Sequence, residues 1–154
     1  MTRARIHSHR FPVPEEAIDQ QGHVSNLAYV AWMQELAIAH SAAAGWPMAR
    51  YLALGVGWVV RSHFIEYLRP AFREDVIEAH TWVPQFSQRA APRRFLFLRG
   101  ADRRLLARAE TCWVFVDLGT GRRVRLPPEL LDAFEPVPDD AEVRRELGLE
   151  AGAG

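Results

Sequence analysis

The longest apolar stretch of the chain begins at Leu27 and ends at Gly45, with neither proline nor internal glycine. Four polar side chains interrupt it: Gln34, Glu35, His40 and Ser41. A helix with one solvent-facing side carries more polar positions than this, so the pattern predicts one long helix that other elements cover on most sides. Asn26 is a suitable N-cap and Gly45 a suitable C′ residue. We expect no membrane insertion, because a glutamate would lie near the centre of the bilayer.

The segments around this helix have the composition of β-strands. Residues 4–14 alternate loosely and end in prolines, which fits a first strand. After the helix come four segments rich in β-branched and aromatic residues: Gly57–Leu68, Asp75–Val83, Arg94–Arg99 and Leu105–Asp117. Strands that follow one another without an intervening helix pair in antiparallel fashion. The sequence therefore predicts an α+β fold, in which a curved antiparallel sheet of about five strands wraps around one long helix.

The C-terminal part is predicted to hold two short helical segments, at 129–134 and 139–147, and to fray at 150–154. A length of 154 residues fits a single domain. We place that domain at 1–135 and assign 136–154 to a C-terminal tail.

Charge and residue usage exclude several classes of protein. The 19 basic residues are balanced by 19 acidic ones, so the chain lacks the positive field that drives non-specific binding of nucleic acid. All of the basic residues are arginine, which excludes a Schiff base on lysine. The single cysteine, Cys112, can form neither an internal disulfide nor a multi-cysteine zinc site. Because the N-terminus also shows no signal peptide, we expect a cytoplasmic protein.

Several common catalytic motifs are missing from the sequence. His7 and His9 share a face of the first strand, but no third ligand is near, and there is neither HExxH nor a Cys/His cluster, so we expect no metal. The phosphate-binding loops GxGxxG and GxxxxGK[ST] are absent, as is the serine hydrolase motif GxSxG. Nucleotide chemistry and covalent serine catalysis therefore lose their usual sequence support.

The loop before the long helix is the best candidate for a reactive site, because Asp19 lies a few residues before Asn26. The free N–H groups of a first helical turn carry the positive end of the helix dipole, so they polarise a carbonyl oxygen and stabilise its tetrahedral anion. A carboxylate beside them can attack that carbonyl carbon or activate a water molecule. Alternatively, Asp19 caps a turn and Gly22 supplies a positive φ.

Three blocks of the sequence resemble the hotdog-fold acyl-CoA thioesterases of the 4-hydroxybenzoyl-CoA thioesterase family. The first is D-x-x-G-H-V-x-N-x-x-Y-x-x-W, which begins at Asp19 and ends at Trp32. The second, I-E-Y-L-R-P, begins at Ile65, and the third, W-V-F-V-D, begins at Trp113. The resemblance covers roughly residues 5–135, and the predicted order of strands and helix is that of the family.

This resemblance implies an acyl-CoA thioesterase whose catalytic residues are Asp19 as base or nucleophile, Asn26 as the amide that binds the carbonyl oxygen, and His23 in an orienting role. It places these residues at the substrate: Gly22, Tyr29, Trp32, Arg93 and Arg94, the two arginines toward the coenzyme A phosphates. Some related thioesterases use a carboxylate on the helix instead, and Glu35 is the candidate here. No cofactor is implied, since coenzyme A is part of the acyl-CoA substrate.

The chain departs from the family pattern at three positions. Ala17 stands where an acidic residue is common, Ser25 where a second asparagine is common, and Glu74 where glycine is usual. The resemblance also implies a homodimer with its two sheets joined edge to edge and its sites at the interface, and frequently a homotetramer. A curved sheet has an exposed edge and a convex face, and assembly of this kind would cover them.

Two other functions stay open at this point. Hotdog proteins include enoyl-CoA hydratases and dehydratases, and a fold can persist as a non-catalytic acyl-binding module. The D-x-x-G-H-V motif favours hydrolysis over hydration. Gly55–Trp58 and Phe64 are candidate pocket residues, but the sequence does not predict the length of the acyl group or whether it is aromatic.

Overall fold

The computed structural model describes residues 5–149, which form a five-stranded antiparallel sheet packed against one long helix. The strands are β1 (His7–Pro12), β2 (Val56–Tyr67), β3 (Val76–Trp82), β4 (Ala90–Arg99) and β5 (Leu105–Asp117). The helices are α1 (Asn26–Ala43), α2 (Met48–Leu54), α3 (Pro128–Ala133) and α4 (Asp140–Glu146), and a short 3-10 turn covers Glu15–Ala17. The predicted order of one strand, one long helix and four strands is confirmed, whereas the prediction lacks the short helix α2.

The strands lie side by side in the order β1-β3-β4-β5-β2, so β1 and β2 form the two edges of the sheet. Consecutive strands from β3 to β5 pair as antiparallel neighbours, as predicted from the absence of helices between them. The pairing of β2 with β5 shifts register between Val60 and Ser62. Such a bulge increases the local twist of a strand, which helps a sheet to curve around a helix.

The main core lies between α1 and the concave face of the sheet. Every third or fourth residue of α1 is buried there, the spacing that brings side chains to one helix face. The sheet contributes inward-facing side chains that are almost completely buried: Ile77, Phe95, Phe97 and Leu106. Full burial of a large apolar side chain contributes about 1.5 to 3 kcal/mol, so this layer holds the helix firmly on the sheet.

The opposite side of α1 is less covered than its composition predicts. Leu27 is 79% exposed and Ile38 is 48% exposed. The expectation of a helix covered on most sides is therefore wrong for the single chain. The physical reason is that the sheet reaches only one face of α1, and that several of the apolar residues on its other face are alanines, which bury little surface. The exposed stripe of α1 lies free in the described chain.

The C-terminal segments pack on the fold at two places. α3 closes a second apolar cluster through Leu130, which lies against Trp46 and Phe115. Val137 and Val143 are fully buried in a third cluster that also contains Trp82, so the segment predicted as a tail is packed as far as α4. The predicted frayed end, 150–154, lies outside the described residues.

The two ends of the described chain are also joined by ion pairs. The Arg5 guanidinium lies 2.8 Å from the carboxylates of Glu142 and Glu146 and 3.3 Å from that of Glu135. Helix α4 is thereby linked to the segment that leads into β1. No helix within residues 5–149 is both long and apolar enough to span a bilayer.

Candidate active site

Asp19 lies in a tight loop that its own carboxylate helps to hold. Its Oδ1 accepts hydrogen bonds from the backbone N–H groups of Gln21 at 2.8 Å and His23 at 3.3 Å. The backbone closes the same loop, since the Asp19 N–H donates to the His23 carbonyl at 2.8 Å and the Gly22 N–H donates to the Asp19 carbonyl at 3.1 Å. Gly22 has a φ of +82°, a conformation that other L-residues rarely adopt. Both contacts of the carboxylate are made by the same oxygen.

The opening of α1 shows that the predicted N-cap was one residue too late. Ser25 is the N-cap, and its Oγ accepts a hydrogen bond from the Leu27 N–H at 3.1 Å. Asn26 is instead the first helical residue, because Ser25 has the extended backbone conformation that capping requires. Within residues 5–149 the Asn26 N–H donates no hydrogen bond, and the first turn holds no acidic side chain. That amide is therefore available to a ligand.

The backbone anchors this loop to the rest of the fold. The Ser25 N–H donates to the Ala17 carbonyl at 2.8 Å, and the Val24 N–H donates to the Ala71 carbonyl at 2.9 Å. The Tyr67 hydroxyl, at the end of β2, donates to the Asn26 carbonyl at 3.2 Å. Because the bond at position 17 uses the main chain, alanine there keeps the loop closed. Serine at position 25 supplies the cap.

The other residues predicted beside Asp19 surround the loop in different ways. The ring of His23 packs edge-on against Phe72, with centroids 5.2 Å apart. Tyr29 and Trp32 are buried in the main core, where their rings pack edge-on with centroids 5.1 Å apart. Burial raises the pKa of the Tyr29 hydroxyl, which has no hydrogen-bond partner in the described chain. Glu35, the alternative carboxylate, is exposed on α1.

A cavity of about 310 Å³ lies along the second half of α1. Its walls come from α1, α2, β2, β4 and β5, and six aromatic side chains line it: Trp46, Tyr51, Trp58, Phe86, Trp113 and Phe134. This volume is within the range of small-molecule sites, which are lined mainly by apolar side chains. Of the candidate pocket residues, 56–58 line the cavity, whereas Gly55 and Phe64 do not. Asp19 is not among the lining residues, so the carboxylate and the cavity are separate in a single chain.

Arg93 lies at this cavity and is buried, with 7% of its surface exposed. One guanidinium nitrogen donates to Nδ1 of His40 at 2.8 Å and to Oγ1 of Thr81 at 3.1 Å. No carboxylate within residues 5–149 forms an ion pair with it. Arg94 points to the other face of β4, where it pairs with Glu110 at 3.3 Å and Asp140 at 2.8 Å. The two arginines therefore do not converge on one ligand in a single chain.

Arg93, His40 and Thr81 form a hydrogen-bonded cluster, and burial determines the charges of its two titratable members. It lowers the pKa of Arg93 to about 10, which leaves the guanidinium charged at neutral pH. Burial, followed by the charge of Arg93, lowers the pKa of His40 to about 2. His40 is therefore neutral, with Nδ1 as the acceptor and its proton on Nε2, an atom that is buried without a partner. The cluster carries one positive charge.

His40 and Trp113 are residues of this cavity region to which the sequence analysis assigns no role. The signal for His40 is its position on the buried stripe of α1, three residues after Ala37 and four after Leu36. For Trp113 the sequence gives no such signal, because its place at the cavity follows from the pairing of β5 with β4, where it lies opposite Ala91. No group of three or more metal-ligating side chains occurs between residues 5 and 149. His7 lies 3.1 Å from His9 through the Nε2 atoms, and its ring stacks on that of His40 with centroids 5.3 Å apart.

Comparison with known proteins agrees with this architecture. A family model described as the thioesterase-like superfamily matches residues 13–134. A hypothetical protein of Thermus thermophilus is 26% identical and superposes with a TM-score of 0.75 over 83% of this chain and 96% of its own. Two solved thioesterases are more distant in sequence and share the fold.

The first of these is a 1,4-dihydroxy-2-naphthoyl-CoA thioesterase of Synechocystis, with 18% identity, a TM-score of 0.77 and coverage of 83% of this chain and 94% of its own. The second is a DHNA-CoA thioesterase of Staphylococcus aureus, with 15% identity, a TM-score of 0.77 and coverage of 95% and 97%. No curated protein matches the sequence significantly. From the sheet, the long helix and the family match together, the chain belongs to the thioesterase-like superfamily, has the hotdog fold and is a thioester hydrolase.

Proposed function

We propose that this chain is an acyl-CoA thioesterase in which Asp19 of one copy acts on a thioester whose acyl group lies in the cavity of a second copy. The observation that carries this proposal is the pairing of a fixed carboxylate with a free helix-opening amide. Asp19 is held through Oδ1 on the loop that enters α1, and the Asn26 N–H at the start of α1 has no partner in the described part of the chain. A carbonyl oxygen that accepts a hydrogen bond from that amide would lie at the positive end of the helix dipole, which stabilises the negative charge that develops on the oxygen.

The position of β2 supports a site shared between two copies. β2 is a twelve-residue edge strand, and long uncovered edges in natural proteins are usually paired or protected. Its first residues, 56–58, line the cavity, while Tyr67 at its end contacts Asn26. In an antiparallel pair of β2 strands, the start of one lies beside the end of the other. Such a dimer would bring the cavity of each copy to the opening of α1 in its partner.

The exposed apolar residues fit further assembly. Leu27 and Ile38 on α1 would lie near the partner in this dimer. Phe64 is 61% exposed and stands on the convex face, because its neighbour Ile65 packs toward the core of α1. Val59 is exposed on the same strand. Two such faces packed together would give the homotetramer that the resemblance implies.

The proposed reaction uses Asp19 and the Asn26 amide together. Acting as base, Asp19 takes a proton from a water molecule as its oxygen attacks the thioester carbon, and the carbonyl oxygen becomes an anion on the Asn26 N–H. When the anion collapses, the carbon–sulfur bond breaks and the free acid forms. The sulfur takes the proton from Asp19, so coenzyme A leaves as the thiol. Acting as nucleophile, Asp19 would instead attack the thioester carbon itself, and cleavage of the carbon–sulfur bond would release the thiolate of coenzyme A and leave a mixed anhydride, which water then hydrolyses to the free acid and the Asp19 carboxylate. Arg94 remains our candidate for a coenzyme A phosphate.

The direct test is Asp19→Asn, assayed by thiol release from a panel of acyl-CoAs. We expect kcat to fall by about 100- to 10,000-fold, the usual contribution of a general base. Glu35→Gln is the matched control, since it removes the exposed carboxylate of α1 and should keep most of the parent's turnover. If Asp19→Asn keeps near-parent turnover while Glu35→Gln loses it, the base has been assigned to the wrong residue.

Mixing two inactive variants tests the shared site. Ala91→Phe places a ring into the cavity, because Ala91 is a buried lining residue. In a mixed dimer of Asp19→Asn and Ala91→Phe, one site combines an intact Asp19 with an intact cavity. We expect an equimolar mixture to recover up to about a quarter of the parent activity after subunit exchange, because random exchange makes half of the dimers mixed and each mixed dimer has one intact site of two. No recovery, with mixed dimers present by native mass spectrometry, would mean that each copy uses its own cavity.

A further inference from the structure

Among residues 5–149, the cavity contains a charge without a counter-ion. Arg93 is buried, and its partners His40 and Thr81 are both neutral. A buried charge is usually paired, because burial without a counter-ion is strongly unfavourable. The same wall holds a second unmatched donor, since the Nε1–H of Trp113 is buried without a hydrogen-bond partner in the described chain. Arginine and the tryptophan indole can only donate.

The remaining buried polar groups of the cavity do not balance these donors. The Tyr51 hydroxyl is bonded to Ser41 at 2.7 Å and accepts from the Trp58 Nε1–H at 3.2 Å. Ser41 in turn donates to the carbonyl of Trp46 at 2.7 Å. These groups satisfy one another. What the cavity lacks is a negatively charged acceptor that can reach Arg93.

We infer that this cavity selects acyl groups that end in a carboxylate, and that Arg93 is the residue that recognises this carboxylate. The substrate class is then the CoA thioester of a dicarboxylic acid, an inference that rests on the proposed thioesterase function. The guanidinium can bind a carboxylate with two parallel hydrogen bonds, which neutralises its buried charge. A hydroxyl or keto group would accept a hydrogen bond but would leave that charge uncompensated. The aromatic walls are suited to the apolar middle of such an acyl group.

The sheet geometry gives the depth of this contact. Arg93 is on β4, and β5 lies between β4 and the edge strand β2. Neighbouring strands are about 4.8 Å apart, so Arg93 is about 10 Å from the edge where the thioester is proposed to lie. The carboxylate at the far end of an extended acyl group of moderate length would therefore reach Arg93. Six- and eight-carbon acyl groups are the appropriate first probes.

The test compares each dicarboxylyl-CoA with the monocarboxylic acyl-CoA of the same length, for example hexanedioyl-CoA with hexanoyl-CoA. We expect the parent protein to have the higher kcat/KM on the dicarboxylyl substrate. In Arg93→Met, the ratio of the two kcat/KM values should fall by about 10- to 100-fold, the usual effect of losing hydrogen bonds to a charged group. Trp113→Phe should lower the same ratio by a smaller factor. Arg104→Met, which removes an exposed arginine between β4 and β5, is the control and should leave the ratio unchanged.

Binding of the free acids separates this inference from the proposed function. Hexanedioate should raise the Tm of the parent more than hexanoate does, whether or not any thioester is hydrolysed. If the parent hydrolyses acyl-CoAs but prefers the monocarboxylic series, or Arg93→Met lowers both activities equally, the thioesterase stands and the inference about Arg93 is overturned. If no acyl-CoA is hydrolysed, the proposed function fails, and the Tm comparison alone decides the inference. Should Arg93→Met not fold, Trp113→Phe and the Tm comparison replace it.

Discussion

His40 should make the fold sensitive to mild acid. In the folded protein its pKa is lowered to about 2 by burial and by the neighbouring charge of Arg93, whereas an unfolded histidine has a pKa of about 6.5. Below about pH 6.5 the unfolded state therefore binds a proton that the folded state excludes. The stability that neutral His40 contributes is fully present above that pH. It is lost as the pH falls, at about 1.4 kcal/mol per pH unit.

Between pH 7 and pH 5 this effect amounts to about 2 kcal/mol, a large part of the stability of a typical domain. The measurement is urea unfolding of the parent and of His40→Asn at both pH values. Asparagine keeps an acceptor for Arg93 but takes up no proton in this range. His7 and His80 also have lowered pKa values and add an acid sensitivity that both proteins share. We therefore compare the difference between the two proteins.

We expect His40→Asn to be less stable than the parent at pH 7 and to lose about 2 kcal/mol less than the parent on going to pH 5. His23→Asn is the control, because it leaves His40 and Arg93 unchanged and should retain the parent's sensitivity. If the parent and His40→Asn lose the same free energy of unfolding, the histidine is not held neutral against the guanidinium, and the assignment of a single positive charge to the cluster is incorrect.

Two further substitutions test the fold around the site. Ser25→Ala removes the N-cap of α1 and should lower the free energy of unfolding, measured with urea, by about 1 kcal/mol. Ser25→Asn introduces the capping residue that the family often has there and should keep most of that stability. An unchanged urea midpoint in Ser25→Ala would show that the cap is not needed. Leu130→Ala opens a hole in the cluster around Trp46 and should lower the free energy of unfolding by about 2 to 5 kcal/mol, whereas the exposed Leu54→Ala should change it little.

The overall fold was predictable because its signals are long and periodic. The apolar stretch of α1 is bounded by residues that end helices, and Gly45 does adopt the positive φ expected of a C′ residue. The alternation within β3 and β5 marks their inward faces. The helix α2 was missed because it is only seven residues long, and its apolar side chains Leu52 and Leu54 are exposed instead of forming a buried stripe. Its boundaries are nonetheless marked by Pro47 and Gly55.

The parts of the site that are formed by residues close in sequence were predictable. The parts that depend on packing between distant segments were less so. The loop from Asp19 to Asn26 is short enough for its order to indicate a carboxylate near a helix opening. The sequence predicts a strand from Arg94 to Arg99, which places Arg93 at its start. β4 begins at Ala90 instead, so Arg93 is an interior position that alternates inward with Ala91 and Phe95. Its meeting with His40 depends on a long-range contact that sequence spacing does not reveal.

The ion pairs of Arg5 show that the first and last described segments of the chain lie close together. Since one guanidinium contacts three glutamates between residues 135 and 146, the first and last described segments emerge at the same corner of the molecule. A short linker could join them and new termini be opened in a surface turn, without rerouting the backbone. A deletion that begins at the N-terminus and passes residue 5 acts, by contrast, on both ends at once, because it removes the ion pairs that join α4 to the segment before β1.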